Sequence, residues 1–294
     1  DSQSSFVQTP RIAELAEQGM RLSNAYAPAP VCSPSRASIQ TGRSPAQLHW
    51  TKAAKPFTAA DGYALIPPAT ERMLDTDELT IGEAMKRSGY TTAHFGKWHL
   101  SGGGPGAHGY DVHDGDTGNN DAAPHVSPNP VDIMGMTDRA ESFIDEAQAT
   151  NTPFFLQMSY HALHYPQNAS AELIDHYKAV AGRQNEKEIL RAAMAEELDT
   201  GVGRLLDHLD ALGIADDTYV IYMSDNGHSE ETGNRIRVDN HKSGHPKGHF
   251  YGASGGGFTG KWKGQKGTLL EGGIRVPAVI SFPAKLPQGE TRDQ

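Results

Sequence analysis

A single cysteine, Cys32, stands among 294 residues. It cannot close an internal disulfide, which excludes a stapled scaffold and a cysteine-rich zinc site. Long hydrophobic runs are also missing: none approaches the roughly 18 apolar residues of a membrane-spanning helix. Positive charge is scarce, since 26 Lys and Arg against 36 Asp and Glu give a formal charge of −10 with His neutral. That balance lacks the basic footprint of a general nucleic-acid binder. Plentiful instead are Gly (32), Pro (18) and His (14), a composition suited to long, shaped loops that carry polar groups. Hydrophobic residues at 37 % and charged residues at 21 % predict a globular fold, not disorder. The chain opens at Asp1 with neither Met nor signal peptide and stops at Gln294 after an apparent strand and a polar turn. A processed or truncated form, one domain over 1–294 incomplete at both ends, is therefore expected, and no leader reveals its compartment.

Helical and strand patterns alternate. Thr9-Pro10 reads as an N-cap with Pro at the first helical position, ahead of Ile12, Leu15 and Ala16 and a closing Gly19. Thr80 and Glu83 fit a capping box before a short helix that ends at Gly89. Phe143, Ile144 and Ala147 mark a helix near 138–149. The longest pattern, near 186–212, sets Leu190, Met194, Leu198, Val202, Leu205 and Leu209 on one face. Apolar runs at 154–158, 219–223 and 276–280 read as buried strands, with Pro277 pushing the last toward an edge or a strand start. Such alternation predicts an α/β domain with a mainly parallel central sheet flanked by helices, and functional groups at strand C-termini. Segments 101–132 and 228–268 are long, aperiodic and rich in Gly, His, Asn and Asp, as functional or mobile loops are.

Five segments carry the chemistry. Cys32-Ser33-Pro34-Ser35-Arg36 follows a strand-like 22–26 and precedes a helical stretch ending in Thr41-Gly42-Arg43. Cys32 is thus expected at a helix N-terminus, which favours an anion, with Arg36 one turn on along the same side. A lone cysteine is more often buried and inert. Gly96-Lys97-Trp98-His99 follows a strand-like 91–95, so Lys97 and His99 can face one ligand. An exposed Lys and a core-edge His would read the same. His161 and His164 follow the strand at 154–158, and either fits a hydrogen-bonded loop residue or half of a His–His metal pair. Asp225-Asn226-Gly227-His228 leaves the strand at 219–223. A carboxylate beside an amide oxygen suits a hard divalent cation, although Asn-Gly is also a common turn. Last come Lys263 and Lys266, then Glu271-Gly272-Gly273-Ile274-Arg275-Val276-Pro277, where Glu271 and Arg275 can pair as structural ions.

Taken in order, Cys-x-Pro-x-Arg with Thr-Gly-Arg and the four later segments resemble the type I, formylglycine-dependent sulfatases of the alkaline phosphatase-like superfamily, from Thr9 to Pro283. The resemblance implies that Cys32 is oxidised by a formylglycine-generating maturation enzyme, and that the aldehyde, hydrated and bound to Ca2+, is the nucleophile. It implies Asp225 and Asn226 as Ca2+ ligands, with residue 32 completing the metal contact. Lys97 and Lys266 would hold sulfate oxygens and Arg36 the hydrated aldehyde. His99 would act as base in releasing sulfate, and His164, preferred over His161, as acid for the leaving alcohol. The family's Asp-Asp metal pair after its first strand has no match here, so that strand and those ligands, like a C-terminal subdomain, are expected outside this chain. The implied activity is sulfate monoester hydrolysis, on a sulfated carbohydrate rather than a simple aryl sulfate. A phosphate or phosphonate ester hydrolase of the same superfamily is one alternative; a sulfated-glycan binding protein with unmodified Cys32 is another. The resemblance also implies a periplasmic, extracellular or lysosomal location.

Loops 44–70, 101–132 and 228–262 carry His49, Trp50, His113, His241, His245, His249 and Trp262, which could line a sugar cleft or lie on the surface. Three short patterns mislead. Gly104-Pro105-Gly106-Ala107-His108-Gly109 fits G-x-G-x-x-G but joins no strand to a helix. Asn168-Ala169-Ser170 fits a glycosylation acceptor, a weak pattern without a known host. Asp114-Gly115-Asp116 lacks the Gly and Glu spacing of an EF-hand.

Overall fold

The computed structural model describes residues 6–53, 69–119, 132–164, 169–180, 186–229 and 259–293, with positions 62, 64, 65 and 182 and the short stretches 236–237 and 251–252. In chain order the elements are α1 (Pro10–Gln18), β1 (Met20–Leu22), α2 (Cys32–Thr41), α3 (Ile81–Arg87), β2 (Thr91–Gly96), β3 (Val112–His113), α4 (Ile133–Ala149), β4 (Phe154–Ser159), α5 (Ala171–Val180) and α6 (Glu186–Ala211). Then follow β5 (Val220–Met223), β6 (Ile236–Arg237), β7 (Tyr251–Gly252), α7 (Glu271–Ile274), β8 (Ala278–Ser281) and β9 (Glu290–Arg292).

Two sheets organise the α/β architecture, in the orders β3-β2-β4 and β5-β8-β1-β9, beside a small β6-β7 ribbon. The first is wholly parallel, with Gly96 in register with Ser159. In the second, β8 alone runs against its neighbours β1 and β5, while β9 is parallel to β1. The expected parallel character therefore holds for strand direction, with one reversed strand, β8, entered directly from Pro277.

Most helices follow their sequence signals. Thr80 and Glu83 form the reciprocal capping box of α3, with Glu83 N donating to Thr80 Oγ1 at 3.3 Å and Thr80 N to Glu83 Oε2 at 3.0 Å. Along α6, Leu190, Met194, Leu198 and Leu209 are buried. The strand at 219–223 is not buried on both faces, since Ile221 is 65 % and Met223 39 % exposed. Three further expectations need correction. Thr9 makes no side-chain cap for α1; Arg11 N and Ile12 N donate instead to the Asp199 carboxylate of α6, at 3.0 and 2.7 Å. A carboxylate there satisfies two orphan donors and complements the helix dipole. Helix α4 starts at Ile133, not near 138, because its apolar stripe reaches back through buried Met136 and Ile133. The first strand lies at Met20–Leu22, not 22–26, and Tyr26 instead forms an isolated bridge with Arg275.

The core has three centres. Ala93 and Phe95 of β2 meet Met136, Ala140 and Phe143 of α4. Ile133, Tyr177, Ile189, Met194 and Leu198 join α4, α5 and α6. Ala37, Leu48, Trp50, Leu74, Trp98, Leu100 and Tyr110 fill the space beneath α2. Each large side chain fully buried contributes about 1.5–3 kcal/mol. Trp98 sits between Lys97 and His99, so its burial anchors the turn that carries both.

Candidate active site

Cys32 is the first residue of α2 and is 4 % exposed, a free thiol at the positive end of the helix. One turn on, Arg36 ties three segments together. Its Nε donates to Asp225 Oδ2 at 2.9 Å, and its terminal nitrogen donates to the Lys97 carbonyl oxygen at 2.5 Å. The helix bearing the cysteine, the end of β2 and the end of β5 thus converge on one guanidinium. Burial alone would raise the Asp225 carboxyl, but Arg36, Lys97 and Lys266 outweigh it and hold that group below the usual carboxylate range.

The turn after β2 is fixed bond by bond. Gly96 has φ of 91°, and a Cβ there would lie 2.3 Å from Ser159 O, so only glycine fits. Its N–H donates to Asp114 Oδ2 at 2.8 Å, and Lys97 N donates to Ser159 O at 2.8 Å. Thr117 then serves both sides of the turn: its Oγ1 donates to Gly96 O at 2.5 Å and accepts from Trp98 N at 3.0 Å. Thr117 O accepts from His99 N at 2.8 Å. Arg139 fastens this scaffold by pairing with buried Asp114 and Asp132 at 2.8 and 3.0 Å.

Lys97 is 2 % exposed. Burial brings its ammonium pKa down to about 8; Cys32 and Asp225 pull upward, while Arg36 and Lys266 push further down. His99 is brought down to about 3, by burial first and then by Lys97, Arg36 and Lys266, so its imidazole is neutral at pH 7. Its Nδ1 is buried with no hydrogen-bond partner among the described residues. Lys266 is held by its backbone: its N–H donates to His228 O at 2.7 Å, and Gly267 N donates to Pro30 O at 2.8 Å. The loop bearing Lys266 therefore rests between the approaches to Cys32 and Asp225.

Six expected residues, Cys32, Arg36, Lys97, His99, Asp225 and Lys266, thus form one electrostatic neighbourhood. Asn226 adjoins it: its Nδ2 donates to Gly227 O at 2.8 Å, while its Oδ1 is buried and unpaired among the described residues. That orphan oxygen beside a carboxylate has the chemistry a hard cation takes. A calcium ion needs about six to eight oxygens. No group of three or more His, Cys, Asp or Glu among the described residues is arranged for a metal, so these two donors suit calcium in kind and fall short in number. After β4, His161 is buried with its Nε2 2.8 Å from Gly118 O, the structural fate expected of it. His164 follows, half-buried, with its N–H donating to His161 O at 2.8 Å.

The family model described as Sulfatase matches residues 2–294. The chain belongs to the sulfatase family. Arylsulfatase A of Bos taurus is 28 % identical over 324 residues, covering 97 % of this chain and 56 % of that protein. N-acetylgalactosamine-6-sulfatase of Mus musculus is 28 % identical over 322 residues, covering 98 % and 55 %. The chain thus spans about half the length of these curated relatives. Among solved structures, Ps i-CgsB in complex with k-i-k-neocarrahexaose superposes with a TM-score of 0.74 at 24 % identity, covering 99 % of this chain and 64 % of that one. This likeness shows the shared fold.

Arg36 donates through Nε to Asp225 and through Nη1 to the Lys97 carbonyl. Trp50 is no cleft residue: it is 4 % exposed, packs in the core and donates Nε1 to Lys52 O at 3.0 Å. Trp262 has its ring 4.0 Å from the Arg275 guanidinium carbon and 4.7 Å from Lys261 Nζ. His241, His245, His249 and Asn168 lie outside the described residues. The glycine-rich 104–109 segment is a 3-10 turn, and Asp114 serves Arg139. The residues missed from the sequence are Thr117, Asp114 and Ser159. A buried Thr or Asp in an aperiodic loop leaves no pattern to read, and Ser159 acts through its carbonyl.

Proposed function

We propose that the full protein hydrolyses sulfate monoesters, of the sulfated-carbohydrate class, at the site around residue 32. The observation that carries this is the charge of the cluster. Among the described residues, Arg36, Lys97 and Lys266 bring three cations against the one carboxylate of Asp225, leaving two positive charges, 3 − 1, beside a helix N-terminus. Such a site stabilises an anion whose charge shifts during reaction. A pair of unit charges 4 Å apart at an effective dielectric of 20 interacts by about 4 kcal/mol, so each lysine matters.

In this reading Lys97 and Lys266 hold the sulfate oxygens. Arg36 orients Asp225 and the Lys97 carbonyl, so the turn cannot drift when the ester binds. His99, neutral and with Nδ1 unpaired among the described residues, has the lone pair a base needs, and its pKa of about 3 makes it a weak base that gains strength only as negative charge gathers beside it. His164 delivers the proton to the leaving alcohol, a role that rests on the family pattern. Residue 32, oxidised by a maturation enzyme to formylglycine, supplies the oxygen nucleophile in hydrated form. Asp225 and Asn226, with residue 32, would hold Ca2+, which adds positive charge near the ester, and its remaining ligands would come from outside the described residues. The carbohydrate class draws on the named amino-sugar sulfatase relative. An exported or lysosomal location belongs to the same proposal; no helix among the described residues is long and apolar enough to cross a membrane.

The test uses the full-length protein produced with a formylglycine-generating enzyme. Turnover is measured on defined sulfated saccharides and on matched phosphate esters, alongside the peptide mass across residue 32. The expected result is preferential sulfate release with the thiol replaced by an aldehyde. A fully active preparation whose thiol still titrates stoichiometrically refutes the nucleophile. Saccharide binding without turnover by matured protein supports the binding-protein reading, and preference for phosphate supports the phosphatase one.

A further inference from the structure

The loop that carries Lys266 is closed by a polar clamp centred on the half-buried Arg275. Its entrance is covered by Arg275, whose guanidinium carbon lies 4.0 Å from the centre of the Trp262 ring. At its exit, Glu271 Oε2 accepts from Arg275 at 2.9 Å, and the Glu271 carboxylate accepts from Tyr26 OH at 3.0 and 3.1 Å. Arg275 also donates to Ser23 O through two nitrogens, at 3.1 and 2.5 Å, and to Asn24 Oδ1. Backbone bonds run alongside: Ala27 N to Ile274 O at 2.7 Å and Val276 N to Ala25 O at 3.1 Å. The segment 23–27 leads straight on through Pro30 to Cys32. One arginine therefore joins the approach to the nucleophile position, the start of the Lys266 loop and its end.

The loop's inner edge is equally close-fitting. Gly272 N donates to Lys263 O and Gly227 N to Gly273 O, each at 2.8 Å. A Cβ on Gly227 would lie 2.1 Å from Gly272 O, and one on Gly272 would lie 2.0 Å from Gly264 O. With Lys266 N on His228 O and Gly267 N on Pro30 O, the tip is suspended between the two halves of the site. Tyr26 is 45 % exposed. The Arg275–Glu271 pair, 18 % and 40 % exposed, is open to solvent at its carboxylate end and adds little to global stability. Its geometric effect is larger, because an ångström-scale displacement of a charged group can cost on the order of 100-fold in rate.

We propose that Arg275, with Glu271 and Tyr26, forms a positioning clamp that sets the Lys266 ammonium relative to residue 32. The inference rests on the role given to Lys266 above. Neither Arg275 nor its two partners touches the ester; they act through the loop.

The test compares Arg275→Ala, Tyr26→Phe, Lys266→Met and the two double variants of the full-length, matured protein. Sulfate release from the panel of defined sulfated saccharides and its inhibition by inorganic sulfate are followed, together with amide hydrogen exchange of the peptide 263–270. Arg275→Ala is expected to lower kcat/KM about 30-fold and Tyr26→Phe about 3-fold, with the inhibition constant for sulfate rising in parallel. In the Lys266→Met background each is expected to change kcat/KM by less than about 2-fold, because the group they position is gone. Exchange in 263–270 is expected to quicken in Arg275→Ala while the urea midpoint barely moves. A full-sized Arg275 effect in the Lys266→Met background overturns the inference, as does unchanged exchange in that peptide. If Lys266→Met alone leaves kcat/KM intact, the role of Lys266 fails and the clamp's catalytic purpose falls with it. If the wild type releases no sulfate at all, the proposed function fails, while exchange still decides whether the clamp holds the loop. Should Arg275→Ala not fold, Tyr26→Phe carries every readout.

Discussion

Replacing Thr117 by valine isolates the hold on the Lys97–His99 turn. Valine keeps the side-chain shape, so packing at a residue only 2 % exposed is preserved while the hydroxyl is lost. Two bonds go with it, the one donated to Gly96 O at 2.5 Å and the one accepted from Trp98 N at 3.0 Å. Both partners are backbone groups in a buried turn. Leaving such a group unpaired costs about 1–3 kcal/mol, with the carbonyl the milder case, so Thr117→Val should destabilise by about 2–4 kcal/mol. Urea unfolding should show this as a lower midpoint with an unchanged slope. The same change frees Lys97 and His99 to shift, and kcat/KM for a sulfate ester should fall by about 10–100-fold. Thr117→Ser keeps the hydroxyl and loses one methyl, so it should cost only about 1 kcal/mol and retain most activity. A valine variant within about 0.5 kcal/mol and twofold in kcat/KM of wild type would show that Thr117 does not hold the turn.

Lys97, brought down to about 8 by burial, should lose its charge as pH rises through that value, so kcat/KM should decline there. A free-enzyme profile flat well beyond pH 9 contradicts this. Arg36→Met leaves the Asp225 carboxylate without its closest partner, and should cost about 3–5 kcal/mol at neutral pH. The Asp225 pKa is depressed in the folded protein, so its stabilisation is present above the unfolded carboxylate pKa and lost as pH falls through the folded one. The Arg36→Met deficit in urea midpoint should therefore shrink in acid, and a pH-independent deficit would locate the effect elsewhere. A calcium chelator should suppress turnover, added Ca2+ should restore it, and Asn226→Ala should raise the Ca2+ needed by about tenfold or more; identical titrations with and without the amide would remove Asn226 from the site. Cys32→Ser should abolish multiple turnover, and sustained turnover by the serine form, free of contaminating enzyme, would contradict the role of residue 32.

Several parts of this molecule could be read from local sequence because their causes are local. The box of Thr80 and Glu83 closes within one helical turn. The stripe of α6 repeats within its own length, and Cys32 opens a helix because extended Val31 precedes it and left-handed Gly42 ends it. Helix α1 shows where this stops. Thr9 had the right identity and position for a cap, yet the donors are met by Asp199, which lies 188 residues from Arg11. Trp50 failed for a related reason. A tryptophan between polar loop residues looks available to a sugar, and only the packing of Leu48, Leu74 and Trp98 around it makes it core.

The candidate site divides along the same line. Residue types at fixed offsets placed Lys97 with His99 and Asp225 with Asn226, because each pair leaves the end of one strand. What those residues are able to do is set by partners remote in sequence. Arg36 reaches Asp225 across 189 positions and Lys97 across 61. Burial raises the pKa of the Asp225 carboxyl; Arg36, with Lys97 and Lys266, more than offsets it, and Arg36 also holds the Lys97 carbonyl in place. Burial first, and then the same crowding of cations, keeps His99 neutral. A motif can nominate a lysine, a histidine and an aspartate. Their charge states at pH 7 follow from burial first for Lys97 and His99, and for Asp225 from the three cations that the fold sets around it.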